Sequence, residues 1–474
     1  MFDIILYAVL IIILFMLVGM TYHFRSLEKL KKGTINSASE VEDETTHEEA
    51  EGLKGYIYTA IIMSVILVLL FTWFLIKGTP WEGHMMEWLN IIVRLMHITF
   101  GIAWIGASFY FVFLENALNR TKDVRDELAG NLWAIHGGGF YYLEKYKVAP
   151  QKIPKDLHWF KYEAYFTWLS GFSLLFVVYY FNAKSSLIDN NVLALSPIAA
   201  VSIGIGSLIV AWLIYDLLCK TAFVKKNTLF ALVGFIAATS FAYFYSQVFS
   251  SRAAYIHFGA MLGTLMAANV FFIIIPAQKA MVKAAKEGKP LNPELGKHAG
   301  LRSLHNNYLT LPVLFVMISN HFPSTFGNKY SWAVLAAISL GTAGVKHYLN
   351  LREKGQHSVW VMPVSVLILL ATAFISAPQK NTGACKTDIS INEINMIVQQ
   401  RCVSCHSSKP TDDVYTAPPN GVVYDTPQDI FRLKDKIYQR VVVTKTMPQN
   451  NKTGMTPEER DAIRCWFEQG GKEK

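Results

Sequence analysis

The chain is 474 residues long, 52% hydrophobic and only 17% charged, with five cysteines. This excludes disordered, collagen-like and disulfide-stapled architectures, and it argues against a string of soluble domains of roughly 150 residues each. The net charge of +9 would suit a nucleic-acid partner unless the basic residues gather in loops on one side of a membrane.

Apolar stretches near the length of about 20 residues that a helix needs to cross hydrocarbon fall at 2–22, 56–76, 89–114, 163–182, 193–218, 228–246, 253–275, 305–321, 331–346 and 358–376. The loops after odd-numbered stretches are rich in Lys and Arg, from Arg25, Lys29 and Lys31 through Lys145, Lys225 and Lys283 to Arg352. The even-numbered loops offer only Lys77, Lys184, Arg252 and Lys329. The positive-inside rule then predicts an all-α polytopic bundle of about ten spans in a lipid bilayer, with both termini outside the cytoplasm. It also accounts for the basic surplus without nucleic acid. The first stretch lacks a basic leader and an A-x-A-like site, so residues 1–32 read as an uncleaved anchor. Residues 33–55 are an acidic, solvated linker, and 56–376 form the bundle.

Ionisable groups inside spans are costly and usually functional. Arg94 and His97, spaced i and i+3, share a helix face with Gly101, Trp104 and Ser108, on the order of 8 and 12 Å deep from the outer end. His257 lies about 6 Å in from the same side, and His321 closes the outer end of the eighth span. These four are expected to converge as a catalytic set in the outer half; the alternative for each histidine is a hydrogen-bonded packing role. His305, His347 and His357 sit at the opposite ends and read as interfacial. Gly259 with Gly263, and Ala103 with Ala107, mark close helix packing, and Cys219 reads as a packing residue. A long loop near 115–162 holds His136-Gly137-Gly138-Gly139 and Leu157-His158-Trp159-Phe160-Lys161. Three glycines after a histidine could form an oxyanion turn, but no G-x-S-x-G accompanies them, so a hydrolase is discounted.

From about 377 to 474 the composition is that of a small soluble domain. Ser390 with Glu393 and Thr456 with Glu459 mark two helix starts. After the first helix comes Cys402-Val403-Ser404-Cys405-His406, the C-x-x-C-H of covalent haem c attachment, with His406 as the proximal iron ligand. A zinc site would want a second ligand pair, and a thioredoxin-like motif a βαβ context; neither is present. The sixth ligand is expected to be a methionine, which raises the potential. Met447 before Pro448 is preferred over Met455 at a helix start and Met396 inside a helix. Cys385 and Cys465 are either disulfide-bonded or two separate thiols, which the sequence leaves open.

The Gly101-to-Phe109 core, the His136-Gly-Gly-Gly run, and Leu157-to-Lys161 followed by Trp168-Leu169-Ser170-Gly171 resemble the bacterial membrane-bound urate hydroxylases that end in a cytochrome c domain. The resemblance covers about 88–474; the two N-terminal spans depart from it. It implies oxidation of urate to 5-hydroxyisourate at the bacterial inner membrane. Electrons would pass to the c haem and on to a soluble or membrane cytochrome or a terminal oxidase. One haem takes one electron while urate gives two, so two sequential transfers or a second centre are required. A bis-histidine haem b in the bundle would serve, although no motif marks it. A quinol-oxidising or nitrogen-oxide-reducing subunit, or a purine transporter fused to a cytochrome, would share the haem tail.

Overall fold

The computed structural model describes residues 81–472 except 122, 151, 155–156, 378–382, 384, 386–388 and 416, together with scattered positions from 63 to 79. The predicted span at 2–22 and the linker at 33–55 lie outside the described residues. The chain divides into two compact units, Met1–Met85 and Met86–Lys474.

The described chain is mostly helical. Helix α1 (Trp81–Ala117) is followed by a hairpin and then by α2 (Tyr162–Leu174), α3 (Pro197–Lys220), α4 (Asn227–Val248), α5 (Ser251–Ala268) and α6 (Ile275–Lys286). The second half of the bundle is α7 (Pro293–Ser319), α8 (Ser331–Glu353) and α9 (Val361–Ile375). Four of these segments are long and apolar enough to cross a membrane: α1, α3, α4 and the run Ser251–Lys286. Only Gly101 of α1 is buried, while Leu95 and Ile102 are exposed. An apolar surface of that extent suits contact with lipid rather than water. The run from α5 to α6 passes through a π-helical segment, Asn269–Ile274, directly before Pro276. Proline lacks the amide that an α-helix would use there and its ring crowds the preceding turn, so the helix widens locally instead of breaking.

Helix α7 begins at Pro293, twelve positions before the apolar stretch expected at 305, and carries Pro312 inside it. Its polar first half stays helical because the bundle satisfies it. The Arg302 guanidinium bonds Asp216 on α3 at 2.6 Å and the Asn269 side chain at 3.1 Å. Asn269 in turn donates to Tyr215 and to Asn306, and Tyr215 meets His305 at 2.8 Å. His305 is thus half-buried and held by a hydrogen bond within the bundle. His347 likewise pairs with Tyr308 at 2.6 Å.

The all-α expectation needs one correction. The long loop folds into an antiparallel hairpin, β1 (Leu128–His136) and β2 (Gly139–Tyr146), with His136 opposite Gly139. Gly137 and Gly138 are the two turn residues, with φ of 57° and 80°, the backbone a two-residue hairpin turn demands and glycine supplies without strain. The cross-strand pairs Trp133–Tyr142 and Ile135–Phe140 are β-formers. The glycine run is a turn, and the oxyanion reading has no basis in it.

Gly259 carries the close crossing expected of the G-x-x-x-G pair: a Cβ there would lie 2.4 Å from Val316 on α7. Gly263 has open space around it, and Ala103 is exposed. Gly259→Val is therefore expected to abolish a stable, monodisperse bundle while Gly263→Ala is tolerated, as size-exclusion profiles of the solubilised chain would show. A second expectation concerns Arg302. Asp216→Asn leaves that guanidinium without a carboxylate and should cost about 3–5 kcal/mol; Arg302→Met should cost less, because Lys220 still pairs with Asp216 at 2.6 Å. Equal losses on thermal unfolding would refute this asymmetry.

Candidate functional site

The four bundle residues expected to converge are not hydrogen-bonded to one another among the described residues, although Arg94 lies near enough to His97 and to Tyr179, a ring neighbour of His257, to act on both electrostatically. Arg94 is exposed on α1, and among the described residues its hydrogen bond is to its helix neighbour Asn90, at 3.1 Å. His97 turns inward from the same helix. Its Nδ1 lies 3.0 Å from the Thr167 carbonyl and 3.2 Å from Ser170 Oγ on α2, where Gly171 leaves room that a Cβ, 2.8 Å from the ring, would close. His257 is fully buried among Tyr179, Tyr180, Tyr245 and Phe249. Its Nδ1 bonds the Ala253 carbonyl at 2.8 Å and its Nε2 meets the Tyr180 hydroxyl at 3.1 Å. Both nitrogens of His257 are thus hydrogen-bonded within the bundle. His321 is exposed just beyond α7.

The C-terminal segment builds a more concentrated arrangement. Helix α10 (Ile391–Arg401) starts at Ser390, whose side chain accepts from the Glu393 amide, and α11 (Pro427–Arg432) starts at a Thr426–Asp429 capping box. Helix α12 (Pro457–Glu468) starts with the complete Thr456–Glu459 box. Ile394, Val398, Ile430, Ile463 and Trp466 pack between them, and a disulfide joins Cys385 to Cys465. Cys402, Cys405 and His406 follow α10 directly. The His406 Nδ1 lies 3.0 Å from the Val422 carbonyl, which fixes the ring and leaves Nε2 as the nitrogen with a free lone pair. Burial holds the His406 imidazole below its usual range, and so neutral at pH 7. Burial also pushes the Cys402 and Cys405 thiols up, to about 12 and about 11, so neither is a thiolate nucleophile. Among the described residues no group of three or more His, Cys, Asp or Glu side chains could hold a metal ion by itself.

Cys402, Cys405, His406 and Met447 line one cavity of about 960 Å³. Met455 is buried in the segment's core and does not line it, and Met396 is exposed on α10. The opposite wall belongs to the bundle, through Ser185, Arg252, Asn320, Lys329 and Tyr330. The two walls are held together by Asn450, whose amide donates to the carbonyls of Ser185 and Ile188 at 2.7 and 3.0 Å, and by Gln449, which donates to Ser185 at 3.0 Å. Asn450 has φ 52°, a left-handed conformation that asparagine tolerates better than most residues.

Against known proteins, the family model described as Urate oxidase N-terminal matches residues 83–377. The chain belongs to the urate oxidase N-terminal family. No curated protein and no solved structure matches it. Membership points to urate-related oxidoreductase activity, and the matched stretch runs from the first turn of α1 to the end of α9. The C-x-x-C-H cavity wall lies beyond it, while the Arg252 wall lies within it.

Two features of this urate oxidase-family chain escaped the sequence reading. Arg252 counted only as one of the few basic residues in even-numbered loops, and Asp216 with Arg302 sat at predicted span ends, where charges are ordinary. Pairing across helices far apart in sequence is the signal that would have found the second, and one sequence does not contain it.

The C-terminal segment should be sensitive to acid. Burial alone would raise the Glu459 carboxyl, but Arg401, bonded to both its oxygens at 3.0 Å, and the Thr456 amide hold it below its usual range. A carboxyl lowered by folding stabilises the fold above its unfolded pKa, and that stability is lost as pH falls through the folded value. Thermal midpoints of the full chain should drop below about pH 4.5, and Glu459→Gln should cost about 2 kcal/mol at pH 7 and flatten that drop. Parallel curves for the two proteins would contradict this.

Proposed function

We propose that this protein oxidises urate to 5-hydroxyisourate at a membrane and passes the electrons to a haem c held by its own C-terminal segment. The observation that carries the reading is the shared cavity of Cys402, Cys405, His406 and Met447, with His406 fixed through Nδ1, on a chain whose 83–377 belong to a urate oxidase family. Cys402 and Cys405 would hold a haem by thioethers, and His406 and Met447 would supply the donors to its iron. A haem bound there supplies one-electron acceptance at a raised potential.

Urate and water give 5-hydroxyisourate, two protons and two electrons, so oxygen enters from water and no peroxide need form. Because a single haem held by Cys402, Cys405, His406 and Met447 would accept one electron at a time, the two electrons would have to leave this site in two sequential transfers. The chain's own residues must bind the urate anion, accept protons and keep the product from the acceptor's path. The proposed placement has the C-terminal segment outside the inner membrane, supported by the scarcity of Lys and Arg in the even-numbered loops.

The test is to add urate to membranes holding the full chain and record the reduced c-haem α-band. Reduction by urate but not by quinol is expected. Quinol-supported, urate-independent reduction would instead favour a respiratory subunit. Met447→Ala should remove the sulfur-to-iron charge-transfer band and lower the potential while the haem stays covalently attached. Retention of that band in Met447→Ala, with its loss in Met455→Ala, would transfer the ligand role to Met455.

A further inference from the structure

The cavity beside the C-x-x-C-H motif has a second wall whose chemistry the haem ligands do not use. Eight basic side chains and one acidic one, Asp189, line the whole space, so it favours an anion. Most of the basic groups are accounted for. Arg401 is paired with Glu459 and Lys452 with Asp412 and Asp413, and Arg460 bonds the carbonyls of Val441 and Met447. Lys329, Lys436, Arg440 and Lys445 are exposed to solvent, where water and salt screen them.

Arg252 differs from all of these. It is half-buried on the first turn of α5, and its Nε donates to Asn320 Oδ1 at 2.9 Å. The Tyr179 hydroxyl, buried behind this wall and not part of the cavity lining, lies against both the Arg252 guanidinium and Asn320. Arg252 itself lines the cavity with one well-formed side-chain hydrogen bond, to Asn320, and a guanidinium has five N–H donors, so donors remain for a ligand in the cavity.

We infer that this bundle wall is the urate-binding site, with the Arg252 guanidinium as its anion-binding fork and Asn320 as the residue that positions the fork. The identity of the ligand rests on the urate reading above; the site itself rests on the cavity and the remaining Arg252 donors. Urate is a planar monoanion at neutral pH with adjacent oxygen and nitrogen acceptors, the shape that two parallel N–H donors fit. Tyr330 and Trp332 line the same wall, aromatic side chains of the kind a planar heterocycle packs against. A ligand held there shares one cavity with His406, so an electron need not cross the roughly 30 Å of a bilayer core. Arg94, exposed and bonded to Asn90, does not have this relation to the acceptor.

A carboxylate of the bound haem itself is the other anion that Arg252 could meet, and the experiment separates the two. Urate-driven haem reduction is measured on the full chain in membranes, with the haem midpoint potential and urate binding by equilibrium dialysis measured on the same protein. Arg252→Gln should raise KM for urate at least tenfold and weaken dialysis binding equally, with the potential and the dithionite-reduced spectrum unchanged. Arg252→Lys should fall between, and Asn320→Ala should raise KM while kcat changes little. A shifted potential with unchanged KM and binding would assign Arg252 to the haem and overturn the site, as would wild-type binding in Arg252→Gln. If wild-type protein binds urate through Arg252 yet never reduces the haem, the site stands and the oxidase reading fails; if wild type does not bind urate, both fall.

Discussion

Polar groups enclosed in a helix bundle have no water to turn to, so each must find a protein partner or leave a cost behind. That constraint organises this molecule. It draws Arg302 onto Asp216 and Asn269, links Asn269 to Tyr215 and Asn306, and locks both nitrogens of His257. Apart from the His257–Ala253 bond, which stays within α5, these bonds join segments distant in sequence, and together they determine which faces of α3, α5 and α7 meet. The constraint also explains why small residues occur where they do: Gly204 lets the Tyr180–His257 pair close against α3, where a Cβ would come within 2.8 Å of the hydroxyl.

The constraint is not met everywhere: among the described residues Glu163, Thr239, Asn307 and Asn350, like Tyr179, each keep a buried polar atom without a well-formed hydrogen bond. Tyr179 lies against Arg252 and Asn320 at the end of the bundle that the C-terminal segment covers. The covering contact is itself a case of satisfaction: the carbonyls of Ser185 and Ile188, left over where the π-helical turn Ala183–Leu187 ends, are taken up by Asn450 and Gln449. The same loop carries Met447 three positions earlier, so the contact that docks the segment also sets one side of the cavity.

Local pattern was the legible part. The apolar stretches locate the cores of the bundle helices, but polar ends lie outside them: α1 begins at Trp81 before the stretch at 89, α6 runs on to Lys286 past 275, α8 runs to Glu353 past 346, and α7 begins at Pro293 before 305, through polar residues that tertiary partners hold. The capping signals at Ser390 and Thr456 locate two C-terminal helices, and C-x-x-C-H singles out His406. The hairpin was missed because its turn glycines suggested a loop and its alternating aromatics were not weighed as strand. Convergence of Arg94, His97, His257 and His321 was expected from depth alone. Depth along a helix says nothing of azimuth, and the structure turns Arg94 outward while His97 packs against α2.

The placement of the proposed urate wall bears on how a two-electron donor can work with a single one-electron acceptor. After the first transfer the oxidised intermediate must stay bound until the acceptor has been reoxidised, and an intermediate free to diffuse would lose the second electron to side reactions. A urate site placed as proposed would open into the same cavity as the acceptor, beneath a docked segment held by Asn450 and Gln449, and would retain the intermediate without a separate lid.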